Sequence, residues 1–121
     1  LYSCLLTGKT ELRFRHRRLA TVPDIVLRAR HLEKLELSHN KLTEIPRSIG
    51  KMSHIRVLVL HHNKLSTLPP ELGLMQSLVR LDISHNNFST IPNCVTLAPI
   101  VELNLERNNL ETLPVILGAM K

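Results

Sequence analysis

Two histidines and an asparagine stand side by side at His61, His62 and Asn63, inside the stretch "LVLHHNKLSTLP" (58–69). Imidazoles held close together can ligate a transition metal or change charge near neutral pH. His62 is also one of a series, because His16, His39, His62 and His85 recur every 23 residues, with Arg107 in the fifth place. Cys94 is a candidate nucleophile with His85 nearby in sequence, and "SCLLTGKT" (3–10) ends in the manner of a phosphate loop.

Each of these falls short of a reactive site. Imidazoles one strand apart, about 4.8 Å, form a straight row, whereas zinc needs ligands that converge in a tetrahedron. No metal and no cofactor is therefore expected. The phosphate loop needs glycine where Ser3 stands, with a strand before it and a helix after it. Here "ELRF" follows, which reads as a strand. Cys94 lies in line with Ser48 and Glu71 on a segment where no orienting acid recurs. A passive thiol, on the surface or half-buried, is expected. The acids Glu11, Glu36, Asp82, Glu102 and Glu106 are spread evenly, as on a solvated face rather than in a paired-carboxylate site. Catalysis is not expected.

The spacing that produces the histidine series runs through the whole chain. "LEKLELSHNKLTEIPRSIGKM", "IRVLVLHHNKLSTLPPELGLM", "LVRLDISHNNFSTIPNCVTLA" and "IVELNLERNNLETLPVILGAM" begin at Leu32, Ile55, Leu78 and Ile100, and a worn copy, "KTELRFRHRRLATVPDIVLRA", begins at Lys9. Five copies keep the same apolar columns. Leu12, Leu35, Leu58, Leu81 and Leu103 form one; Phe14, Leu37, Leu60, Ile83 and Leu105 form the next; Leu19, Leu42, Leu65, Phe88 and Leu110 form a third. A fourth column is closed each time by a proline: Pro23, Pro46, Pro69, Pro92 and Pro114. A segment such as "LELSHNKL" alternates like a short strand. One copy cannot bury its leucines alone, but stacked copies can. The expected fold is an α/β solenoid of about five repeats: a curved stack, with a parallel sheet on the inner, concave face. Short helical or irregular segments return over the convex side.

These residues resemble the leucine-rich repeat family from about Lys9 to Lys121, with LxxLxLxxNxL met from Leu32 onward. The length and the "IPxxI" or "LPxxL" ending are similar to its intracellular, Ras-related class. The resemblance implies that Asn40, Asn63, Asn86 and Asn108 form a structural ladder, each amide bonding backbone groups of adjacent turns that need partners. The first copy departs from the pattern, with Arg17 at the asparagine position and Lys9 at the leading leucine. It suits a terminal repeat, with Leu1, Tyr2, Leu5 and Leu6 over the open end. One domain is expected over 1–121: a capping segment at 1–8 and repeats near 9–31, 32–54, 55–77, 78–99 and 100–121, within a longer protein.

With the strand leucines turned inward, the residues between them face the other way. Lys34, Val57, Arg80 and Glu102 then share one row, Glu36, Val59, Asp82 and Asn104 the next, and His61 follows the strand. Val57 and Val59 should lie exposed at the centre of a charged face, and an apolar centre inside a polar rim is the anatomy of a protein interface. The chain's net charge of +6 is concentrated at one end: residues 1–31 carry seven Lys or Arg against two acids, and the remainder nine against eight. Arg13, Arg15, Arg17 and Arg18 thus make a second, basic patch that suits an acidic protein segment.

Family members mostly serve as scaffolds or recognition domains. The resemblance therefore implies a non-catalytic interaction module with a protein partner on its concave face. The alternatives are the recognition domain of a larger signalling enzyme (a kinase, GTPase or ubiquitin ligase) and a structural subunit of a large assembly. Nucleic acid is not expected, because one Tyr, two Phe and no Trp leave few stacking platforms. No run approaches the roughly 20 apolar residues of a membrane helix. Two distant cysteines, Cys4 and Cys94, suit free thiols in a reducing, intracellular and cytoplasmic setting. The residues give no oligomeric state.

Overall fold

The computed structural model describes residues 10–110. The capping segment 1–8, Cys4, the "SCLLTGKT" loop up to Lys9, and Pro114 with the chain's last residues lie outside them.

Five three-residue strands follow in order: β1 (Glu11–Arg13), β2 (Lys34–Glu36), β3 (Val57–Val59), β4 (Arg80–Asp82) and β5 (Glu102–Asn104). They form one parallel sheet in sequence order. The register pairs equivalent residues of successive repeats, so Leu12, Leu35, Leu58, Leu81 and Leu103 lie in one line. Each strand turns its central leucine inward. Leu35, Leu58 and Leu81 have no exposed surface. The other apolar columns fill the same continuous core, including Leu37, Leu60, Ile83, Leu42, Leu65 and Phe88. Parallel strands need crossovers, and here the crossover is the rest of each repeat.

The repeat prolines set the return path. Pro23, Pro46, Pro69 and Pro92 each hold an extended conformation, with φ of −62°, −69°, −68° and −60°. That ring-locked φ lets the chain leave extended structure and begin a helical turn at the next residue. The turn is a short α-helix, α1 (Asp24–Arg28), in the first copy. It is a 3₁₀ turn in the others: Arg47–Lys51, Pro70–Leu74 and Asn93–Thr96.

Successive turns pack closely enough to restrict their residues. A Cβ added at Gly50 would sit 2.5 Å from the backbone carbonyl oxygen of Glu71. That neighbour cannot rotate away, so Gly50→Ala should destabilise the fold by about 1–3 kcal/mol. A chemical denaturation midpoint equal to that of the parent chain would show that the turns are free to separate.

Candidate functional site

The outward sheet face is built from the two residues that flank each central leucine. The register carries Glu11, Lys34, Val57, Arg80 and Glu102 across one row and Arg13, Glu36, Val59, Asp82 and Asn104 across the other. The sheet therefore brings eight of the nine sequence-selected residues from Lys34 to Asn104 onto one side, and His61 follows β3 outside the paired register. Glu36, Asp82 and Asn104 are each braced from two residues on. The Ser38 hydroxyl donates to Glu36 at 3.4 Å. Asp82 accepts from the Ser84 amide at 3.0 Å and its hydroxyl at 2.6 Å. Asn104 accepts from the Glu106 amide at 3.1 Å.

Val57 and Val59 do not stand fully exposed, as their outward position suggested; both are half-buried. Val57 is flanked in register by Lys34 and Arg80, and Val59 by Glu36 and Asp82. Cross-strand neighbours this close reach one another with their aliphatic stems. Val57 and Val59 are thus two apolar positions flanked in register by four charged residues.

The charges of that face largely answer each other. Arg80 meets Glu102 with two nitrogens, at 2.7 and 3.2 Å. Arg15 meets Glu36 at 3.1 Å, and Arg13 meets Glu11 at 3.4 Å. Two of the four arginines in the basic patch are thus paired, while Arg17 and Arg18 are exposed at the turn after β1. The exposed Arg13–Glu11 and Arg80–Glu102 pairs contribute about 0–1 kcal/mol each; the pairs of Arg13 and Arg15 reduce the positive field at the N-terminal end.

Behind the sheet edge runs the asparagine ladder. The Asn63 amide nitrogen donates to the carbonyls of Leu37 at 3.0 Å, Leu60 at 2.9 Å and His61 at 3.3 Å, and its oxygen accepts the Leu42 amide at 3.1 Å. Asn86 repeats the pattern on Leu60, Ile83, Ser84 and Leu65. Asn108 does so on Ile83, Leu105, Glu106 and Phe88. Asn40 does so on Phe14, Leu37, Ser38 and Leu19, and also accepts the amide of Arg17. Where the first copy lacks its own asparagine, the next repeat's ladder residue takes the additional donor.

The residue before each asparagine must turn left-handed for the amide to reach inward. His39, His62, His85 and Arg107 have φ of 53–58°, and His16, before Arg17, has 56°. Histidine tolerates this region better than most side chains. The parallel register then stacks the rings. His16 lies 4.4 Å from His39, His39 4.2 Å from His62, and His62 4.0 Å from His85, between ring centroids and within 20° of parallel. Partial burial holds His39 and His62 below the ordinary histidine pKa. The neighbouring imidazoles push the same way: His16 and His61 on His39, and His39, His85 and His61 on His62. Arg15 adds to the effect on His39. Glu36 and Asp82 oppose it on His39 and His62 respectively.

Cys94 is buried, not half-exposed, and burial raises its thiol pKa. A thiol with less thiolate is a poorer nucleophile. Among the described residues no helix is long and apolar enough to cross a membrane.

His61 is the residue whose part the sequence alone did not reveal. It shares the sheet-edge row with Ser38 and Ser84, yet its ring stands across the imidazole column rather than in it. The one sequence signal is the doublet "HH" at 61–62, where the neighbouring repeats read "SH" at 38–39 and 84–85.

A leucine-rich repeat family model matches the chain three times in overlapping windows, at residues 10–65, 30–88 and 53–110. No curated protein matches it significantly. Solved structures do. An internalin from Listeria monocytogenes aligns over 92% of this chain and 32% of its own, at 22% identity and a TM-score of 0.75. A leucine-rich repeat protein of Leptospira interrogans aligns over 85% of this chain and 32% of its own, at 28% identity and a TM-score of 0.63. YopM from Yersinia enterocolitica aligns over 94% and 28%, at 27% identity and a TM-score of 0.61. The chain thus spans about a third of each of these proteins.

Proposed function

Because the chain belongs to the leucine-rich repeat family, an interaction fold that generally binds proteins and is not itself catalytic, we propose that it is a protein-recognition module. Its partner docks on the outward, concave face of the sheet. The single observation that supports this reading is the pair Val57 and Val59. They form an apolar centre on the middle strand, ringed by Lys34, Glu36, Arg80 and Asp82, with His61 beyond and Glu102 and Asn104 on the far strand. Apolar anchors surrounded by polar groups that exclude water carry most of the energy of protein interfaces. Glu36 and Asp82 are already oriented by Ser38 and Ser84, so less ordering is lost on binding. The rim's mixed signs favour a partner with charges of both signs, whose placement sets register more than affinity.

The test is a pull-down from lysate with quantitative mass spectrometry. It compares the parent chain, a Val57→Glu, Val59→Glu double variant, and a Leu74→Glu, Leu97→Glu control. Leu74 and Leu97 are exposed and lie away from the sheet, in and after the return turns. Circular dichroism must show all three folded. The expected result is a protein retained by the parent and the control, and reduced at least about tenfold with the valine variant, a loss equivalent to about 1.4 kcal/mol. A partner that the valine variant keeps and the leucine control loses would move the recognition surface to the return side.

A further inference from the structure

The imidazole column alone is a row of near-parallel rings whose nitrogens do not converge. His61 changes that in one repeat. Its ring lies at 89° to His39 and 80° to His62, with centroids 5.2 and 4.9 Å away. Its Nδ1 is 2.7 Å from the Nδ1 of His62. One ring nitrogen from each of His39, His61 and His62 lies within 4.8 Å of the other two. The expectation that this column holds no metal rested on its straightness, and the crossing ring of His61 removes that argument.

We propose that His39, His61 and His62 form a binding site for a divalent first-row transition metal, of which zinc is the type. Three imidazoles are a complete protein donor set for zinc and leave a fourth position for water or a partner's side chain. Imidazole selects zinc, copper or nickel over calcium and magnesium, which take oxygen ligands. At 2.7 Å a proton bridges the two Nδ1 atoms, one ring donating and the other accepting. For both Nδ1 atoms to bind a metal, the ring that donates must carry its proton on Nε2 instead, so that each imidazole stays neutral, and the nitrogens part to about 3.3 Å, the separation of two imidazoles at zinc–nitrogen lengths of about 2.0–2.1 Å. His39 draws inward by χ rotation. His62 is exposed, and His39 and His61 are half-buried at the edge of the sheet, outside the apolar core. The carboxylates of Glu36 and Asp82 act on His39 and His62 and offset the charge of a bound cation. Arg15 opposes it, though it is itself paired with Glu36. The site is confined to the middle of the array: serine replaces His61 in the adjoining repeats, at Ser38 and Ser84. It does not depend on whether the valine face binds a protein.

The experiment titrates chelator-stripped chain with zinc chloride by calorimetry at neutral pH, and with cobalt(II) followed by visible absorption. One zinc should bind per chain, and the cobalt adduct should show no thiolate charge-transfer band. His61→Ser, which installs the residue of the neighbouring repeats, and His62→Asn, which keeps a side chain tolerant of left-handed backbone, should each weaken binding at least about tenfold, since even outer-shell partners of metal ligands are worth that much. His54→Gln, on an exposed turn, should leave it unchanged. The proposal is overturned if zinc does not saturate, if His54→Gln weakens binding as much as His61→Ser, or if thiolate bands appear. Should a variant fail to fold, the ¹⁵N shifts of the parent chain's histidines decide: zinc must move those of His39, His61 and His62, and their constancy sinks the site.

Discussion

Asn63→Ala should lower the unfolding free energy by about 3–4 kcal/mol, because each buried backbone group left without a partner costs about 1–3 kcal/mol. The side chain serves the carbonyls of Leu37, Leu60 and His61 and the amide of Leu42. Some of these groups recover part of the loss by moving toward water, which keeps the estimate below the sum of four penalties. Asn63→Asp separates the two halves of the role. It keeps an acceptor for Leu42 but turns a carboxylate oxygen toward carbonyls, so it should be at least as damaging as alanine. Urea denaturation followed by circular dichroism reads both. A loss under about 1 kcal/mol for Asn63→Ala, the size of one ordinary hydrogen bond, would mean that the ladder is decorative. The position is the middle one of the array, so damage there interrupts nearest-neighbour coupling on both sides.

Phe88→Ala should cost about 3–5 kcal/mol, the range for removing a fully buried aromatic side chain and leaving a cavity. Phe88 has no exposed surface and stands where the other copies carry Leu19, Leu42, Leu65 and Leu110. Phe88→Leu restores the common residue and should cost less than about 1.5 kcal/mol, since packing survives a near-conservation of volume. The contrast between the two variants is the result to look for. If leucine were as harmful as alanine, ring shape rather than buried volume would control this column. If alanine were harmless, the column would not be the continuous core that the burial pattern describes. Neither variant touches the outward face, so a folded Phe88→Leu chain should retain the partner that the valine double variant loses.

The fold was legible in the sequence for a physical reason. A stack of identical units has one way to bury its apolar columns, with equivalent residues in register, so the period and the columns already contain the sheet order, its parallel sense and its inward face. Strand registry from Leu12 to Leu103 and the return turns after Pro23, Pro46, Pro69 and Pro92 followed from that alone. The asparagine ladder came with the family resemblance, and Asn40, Asn63, Asn86 and Asn108 each donate to the carbonyl three residues back. Lys34, Val57, Arg80 and Glu102 share one register row and Glu36, Val59, Asp82 and Asn104 the other, because a strand's side chains alternate.

Three things only the tertiary structure decided. The valines are half-buried, and a period of two gives the side on which a residue lies, not how far its neighbours cover it. The basic patch is partly neutralised because Arg15 finds Glu36 on the next strand, a rotamer choice that no spacing encodes. His61 crosses the imidazole column, though its sequence position is shared with two serines. A residue type fixes which atoms are available. The left-handed turn at His39 and His62, and the stacking of the column's rings, fix where those atoms point. Periodicity sets the lattice of Cα positions. Direction within that lattice is a matter of side-chain packing, which exists only once the neighbouring repeats are in place.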